Sequence, residues 1–136
     1  MREILFRAKA INRDPNRAYR TNYKNGDWVY GLITKLYDDN YPAEMRNTNG
    51  VSGIDVDYKT IGEYTGLKDK NGKRIFEGDI VLLKSDEEPY QVEFDECCFQ
   101  VYSHSVCYVM DNFYDHDIEV IGNIHDNSEL LRSEEE

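Results

Sequence analysis

The chain has 136 residues, 40% of them hydrophobic, with 16 Lys and Arg against 27 Asp and Glu and a formal net charge of −11. This is enough to bury a core and build one domain, or a domain with a lobe. A membrane-spanning helix is excluded, because runs such as Ile80-Val81-Leu82-Leu83 fall far short of the roughly 20 apolar residues required. The acidic balance also argues against non-specific DNA binding, which needs surplus Lys and Arg.

Strands dominate the pattern: Val, Ile and Tyr are abundant, and branched or aromatic side chains suit a pleated, half-buried surface. Arg2 to Lys9 reads as a first strand, with Ile4, Phe6 and Ala8 on its apolar face. Arg13-Asp14-Pro15-Asn16 reads as a turn, and Asn25-Gly26-Asp27 as another that launches a strand over Trp28–Ile33. Residues 37–53, rich in Asp, Asn, Gly and Tyr, read as loop. Asp55–Tyr58 opens a strand towards Ile61. Asn71-Gly72 signals a two-residue hairpin turn between Gly66–Lys68 and Arg74–Phe76. A turn at Glu77-Gly78-Asp79 then leads to a buried strand from Ile80. Asp86-Glu87-Glu88-Pro89 reads as a turn before a strand over Tyr90–Phe94. Phe99–Met110 offers more strand, and Asp117–Ile121 a last one, broken by Gly122-Asn123. Asn127 is placed to cap a short helical turn over Ser128–Leu131.

Many short strands at close spacing indicate a small barrel or sandwich. The expected fold class is therefore mainly β, with an α+β arrangement as the alternative. The expected division is a β-rich extension over 1–60, with its loop-rich part at 37–60, a barrel over 61–131, and a disordered acidic tail over 132–136.

Charge is uneven. Residues 1–24 carry seven bases and two acids, a net of +5, whereas 85–136 carry one base and fifteen acids, a net of −14. Opposite blocks attract, within the chain or between copies. Cys97, Cys98 and Cys107 are odd in number, and Ile4-Leu5-Phe6 is too short to act as an export signal. Reduced thiols in a cytoplasm follow, and all three are expected to pack as small, mostly buried apolar residues.

Chemical templates fit poorly. Between Gly66 and Gly72 lie five residues where a phosphate loop needs four, and Arg74 stands where its hydroxyl would be. Asp115-His116-Asp117-Ile118-Glu119 lacks the glycine of a calcium loop, since the sixth position is Val120. His104, His116 and His125 have neither the i, i+4 spacing nor the Cys-x-x-Cys of a zinc site. Cys107 and His104, three apart on a strand, face opposite ways. No catalytic, cofactor-binding or metal-binding residue is assigned, and no cofactor is expected. The tyrosine excess, from Tyr19, Tyr23 and Tyr30 to Tyr37, Tyr41, Tyr58 and Tyr64, suits the rim of a core. Exposed, the same residues would serve as interface anchors or stacking platforms.

The order of segments is recognisable. Arg2-Glu3-Ile4-Leu5-Phe6-Arg7-Ala8, Trp28-Val29-Tyr30-Gly31, Tyr64–Lys73, Ile75-Phe76-Glu77-Gly78-Asp79-Ile80-Val81 and Glu119-Val120-Ile121-Gly122-Asn123-Ile124, then Asn127 and Glu129-Leu130-Leu131, together resemble the YopX family of phage and prophage proteins. Lys9 stands where the family usually has Trp, and Ser128 where Pro is common. The resemblance implies a cytoplasmic phage protein, mostly β, with a small SH3-like barrel. It brings no catalytic residue. It gives structural parts to Gly66, Gly72, Gly78 and Gly122 as backbone-permissive points, and to Ile75, Ile80 and Ile121 as core.

The function expected is a non-enzymatic binding or assembly protein encoded by a phage or prophage. It self-associates and has room for a host or phage protein partner, but none for a membrane. The alternatives are a nucleic-acid-associated module using the basic, Tyr-rich first half, and an acidic decoy that occupies a host protein.

Overall fold

A computed structural model describes residues 3–12, 23–37, 42–83, 86–95, 98–103, 106–110 and 117–131. The fold is mainly β. Among the described residues, helical geometry is confined to short 3₁₀ segments, such as Tyr58–Thr60 and Ser128–Leu131. The chain divides into two compact units, Met1–Glu63 and Tyr64–Glu136.

The first unit is an antiparallel sheet. Its strands are β1 (Phe6–Lys9), β2 (Trp28–Lys35), β3 (Ala43–Asn47) and β4 (Ile54–Val56), in the order β4-β3-β2-β1. Strand β5 (Gly62–Lys68) begins here, with Gly62 opposite Arg7 and Glu63 opposite Phe6. Alternation sends one set of side chains inward. Ala8, Ala10, Val29, Ala43, Met45, Ile54 and Val56 form a buried core, with Phe6, Ile33 and Ile61 packed against it. Burying a side chain such as Val29 or Met45 contributes about 1.5–3 kcal/mol. Thr60, at the end of a 3₁₀ turn, accepts the Lys9 amide on its hydroxyl at 2.8 Å and so ties β1 to the chain 51 residues on.

Three expectations change in this unit. Pairing of the first strand starts at Phe6, so Ile4 does not join the apolar face and is 64% exposed. The segment 37–53 is not all loop, because it contains β3. Only Ala43 and Met45 carry its alternation, and pairing with β2 on one side and β4 on the other supplies what propensity lacks. Asp55 begins no long strand: β4 stops at Val56, and the 3₁₀ turn intervenes before β5. The turn at Asn25-Gly26 is as expected, with Gly26 at φ 88° and Asp27 N–H donating to Lys24 O at 3.1 Å. The turn expected at 13–16 lies outside the described residues.

The second unit holds the rest of β5 and β6 (Arg74–Phe76), β7 (Asp79–Leu83), β8 (Asp86–Asp95), β9 (Cys98–Ser103), β10 (Val106–Val109) and β11 (Ile118–Asn123). The last five form an antiparallel sheet in the order β10-β9-β8-β7-β11. Ile75, Val81, Leu83, Tyr90, Val92, Val101, Met110 and Ile118 make its core. The sheet does not close into a barrel, and among the described residues no ladder joins β10 to β11. The β5–β6 hairpin reaches β11 through its loop instead of through strand pairing: Lys70 N–H donates to Ile118 O at 2.9 Å, and the Asp69 carboxylate accepts from Val120 N–H at 3.0 Å.

That hairpin is where the Asn-Gly signal placed it, but with a different turn. Asp69 N–H bonds to Lys73 O at 2.8 Å and Gly72 N–H to Asp69 O at 3.0 Å. This is a three-residue loop with Gly72, at φ 79°, in the left-handed position, not the two-residue turn. A turn at Gly78 and a buried β7 follow as expected. Asp86–Pro89 is strand, not turn, since Asp86 already pairs with Leu83. Of the family's core positions, Ile75 and Ile80 are fully buried, whereas Ile121 is half-buried. Gly122 has no positive φ. It is needed because a Cβ there would lie 2.7 Å from Asn127 Oδ1. The Asn127 side chain accepts from Asn123 N–H at 3.2 Å instead of capping the 3₁₀ turn, whose Leu130 N–H bonds the Asn127 carbonyl at 2.9 Å.

Candidate binding face

Strand β2 carries the site. Val29 points into the core, so Trp28, Tyr30 and Leu32 share the opposite face. In the register with β1, Trp28 lies opposite Lys9 and Tyr30 opposite Arg7. The Arg7 guanidinium sits 4.6 Å from the Trp28 ring centre and Lys9 Nζ 5.5 Å from it. Contacts of this kind contribute about 0.5–2 kcal/mol, more when dry. Arg7 is only 5% exposed, so it braces the indole and offers little charge outward. On the other side of β2, Leu32 lies opposite Arg46 of β3, and Arg46 is exposed. Tyr30 is 40% exposed and Leu32 49%. At the far end of the strand, Leu36 and Tyr37 are exposed as well. Tyr37 donates its hydroxyl to Glu44 Oε2 at 2.9 Å, and this bond to a carboxylate raises the phenol's pKa.

Next to this face lies an open cleft of about 360 Å³. Because β2 runs between β1 and β3, Glu3-Ile4-Leu5 ahead of β1 form one wall, Arg46-Asn47-Thr48 with Gly50 the other, and Gly31-Leu32 the floor. The floor requires glycine: a Cβ on Gly31 would overlap the Arg46 carbonyl oxygen. The second wall is fixed by Asn47, whose Oδ1 accepts from Asn49 N–H at 3.0 Å and Val51 N–H at 2.9 Å, while Nδ2 donates to the Tyr23 hydroxyl at 3.2 Å. Thr48 N–H closes the turn on Tyr30 O at 3.0 Å. The cleft is apolar at its centre and carries opposite charges, Glu3 and Arg46, on its two walls.

The motifs tested in the sequence fall elsewhere. Gly66–Arg74 is the hairpin already described, not a strand–loop–helix. Asp69 has its two carboxylate oxygens filled by backbone N–H groups. Of the acidic run at 115–119, Asp115 and His116 lie outside the described residues, and Glu119 Oε1 lies 3.4 Å from Lys70 Nζ. His104 and Cys97 are likewise outside them. Cys98 is half-buried, and Cys107 is exposed where burial was expected; both meet the Gln100 side chain, Cys107 Sγ donating to Oε1 at 2.6 Å. The β9–β10 ladder leaves residue 107 at the sheet's edge, which is why it is uncovered. Burial first, then the charges of Asp95 and Glu77, raise the pKa of Glu93. Among the described residues no group of three His, Cys, Asp or Glu could hold a metal, and no helix is long and apolar enough to cross a membrane.

Sequence reasoning named Trp28 and Tyr30 but missed Ile4, Leu32 and Arg46 as neighbours. The signal was the alternation Ala43-Glu44-Met45-Arg46, which puts Arg46 on the outer face once β3 is recognised.

The family model described as YopX protein matches residues 6–132. The chain belongs to the YopX family. A solved structure, protein EF1440 from Enterococcus faecalis, is similar to it with a TM-score of 0.59 and 25% identity, covering 97% of this chain and 100% of that one. No curated protein matches. Of the YopX-like segments, Trp28-Val29-Tyr30-Gly31 lies on β2 and supplies Trp28 and Tyr30 to its outer face. Tyr64–Lys73, Ile75–Val81 and Glu119–Ile124 with Asn127 fall instead on the β5–β6 hairpin, the Gly78 turn and the Gly122–Asn127 contact, where they hold backbone.

Proposed function

We propose that this YopX protein is a phage- or prophage-encoded, non-enzymatic assembly protein of the bacterial cytoplasm, and that it self-associates through the outer face of its first sheet. Family membership supports the phage setting. The carrying observation is the juxtaposition of Tyr30, Leu32 and Ile4, all exposed, with Trp28 and Arg46 on and beside one strand. Aromatic side chains and Arg are the residues that anchor protein contacts, and buried aromatic centres carry most of their energy. The experiment is light scattering on the intact chain and on Leu32→Asp. Leu32 is half outside already, so the variant keeps its circular dichroism spectrum while losing self-association; an unchanged mass for both proteins contradicts the reading.

A second reading has one observation of its own. Trp28, stacked by Arg7 and Lys9 beside Tyr30, is the arrangement on which bases of a single strand stack. Trp28 is the sole tryptophan, so quenching of its emission by a short oligothymidylate reports this directly.

A further inference from the structure

The cleft beside β2 has a feature that a surface for an unrelated partner would not need: it is complementary to itself. One wall presents an acid, Glu3, next to a protruding apolar side chain, Ile4. The other presents a base, Arg46, next to the apolar floor at Leu32. Two copies placed with like walls together would set acid on acid and base on base. Related by a two-fold axis, they set each acid on the other copy's base, and they do so twice. Reciprocity of this kind defines an isologous contact.

Resting on the self-association just proposed, we infer that the cleft is filled by a second copy of this chain in a two-fold dimer. Ile4 of each copy enters the cleft of the other, and Glu3 of each faces Arg46 of the other. Charge argues for this face over others. A chain of net charge −11 repels its own copy at most approaches, and a contact survives where acid and base are balanced within it. Ile4, 64% exposed, is the apolar group with most surface to lose on that wall. Glu3 and Arg46 set the register, while the apolar centre supplies the lasting part of the affinity.

The test uses two charge reversals, Glu3→Arg and Arg46→Glu, in the full chain. Both positions are exposed, and a circular dichroism spectrum matching the wild type establishes that each variant is folded. Light scattering on each variant alone is expected to show dimer affinity weakened by at least about tenfold, since like charges then meet twice across the contact. An equimolar mixture of the two variants is expected to regain the wild-type dimer, because only the mixed pair opposes Arg to Glu at both places. As a second measurement, Ile4→Asp is expected to give a folded monomer. Single variants that dimerise like the wild type, while the wild type self-associates, overturn this geometry and leave the broader reading standing. Rescue in the double reversal but not in the mixture places the pair within one copy and overturns it too. A wild type that stays at 16.0 kDa at high concentration removes both the geometry and the self-association. A monomer that retains oligothymidylate, and loses it in Arg46→Glu, gives the cleft to nucleic acid and contradicts the dimer.

Discussion

The Asp69 carboxylate accepts the Val120 backbone N–H at 3.0 Å, joining residues 51 apart in the chain. Its other oxygen accepts Asn71 and Lys73 N–H, each at 2.9 Å, so one side chain both shapes the hairpin loop and fastens it to β11. Asp69 is 3% exposed. Replacing it by Ala leaves three donors without this acceptor, and the expected cost is about 3 kcal/mol, given that bonds to a charged group contribute about 1.5–3 kcal/mol each and part of the loss is recovered by water. Urea denaturation checks the value; Asp69→Asn, which keeps one good acceptor, is expected to lose less.

The same group sets an acid limit. Burial acts to raise its pKa, but the bonds from Val120, Lys73 and Asn71, with the Lys73 charge, outweigh burial and hold it below the ordinary 3.8. A depressed carboxyl stabilises the fold above its unfolded pKa, and that stability is lost as the pH falls through the folded value. Unfolding free energy is therefore expected to drop below about pH 4, and the part of the drop due to Asp69 is expected to vanish in Asp69→Asn. An identical pH profile in both proteins contradicts this.

Glu93 works in the opposite direction. Its raised pKa means that the fold disfavours its charge, so its contribution is present below the ordinary 4.5 and is lost as the pH rises through the folded value. Glu93→Gln is expected to stabilise the protein at neutral pH by roughly 0.5 kcal/mol, the scale of a like-charge contact on a sheet. A melting temperature that falls contradicts it.

Gly31→Ala is expected to destabilise the first unit by about 1–3 kcal/mol, because the added methyl meets the Arg46 backbone and not a movable side chain. Hydrogen exchange at the β2–β3 ladder checks where the loss falls: Tyr64–Glu136 is expected to keep its protection.

The legible parts of this fold were those with strong local chemistry. Asn71-Gly72 marked a hairpin because few residues take the left-handed position that Gly72 fills. Trp28 to Ile33 was visible as strand because branched and aromatic residues crowd it. Strand β3 was not, since Ala43 and Met45 are only two inward residues among polar ones, and their burial depends on partners far along the chain. Asp86–Pro89 read as a turn on composition, yet pairing with Leu83 overrode it. The cleft was invisible for a related reason: Leu32 and Arg46 become neighbours only through the β2–β3 register, which no local pattern states. Ile4 misled by alternation, because a strand's period counts only where the strand is paired.

The most direct measurement is sedimentation equilibrium of the intact chain over a wide concentration range at moderate salt. The expected result is a mass that climbs from 16.0 kDa to twice that value and stops there, with Leu32→Asp remaining at the monomer mass throughout. A wild-type mass that stays at 16.0 kDa to the highest concentration would contradict self-association through the β2 face.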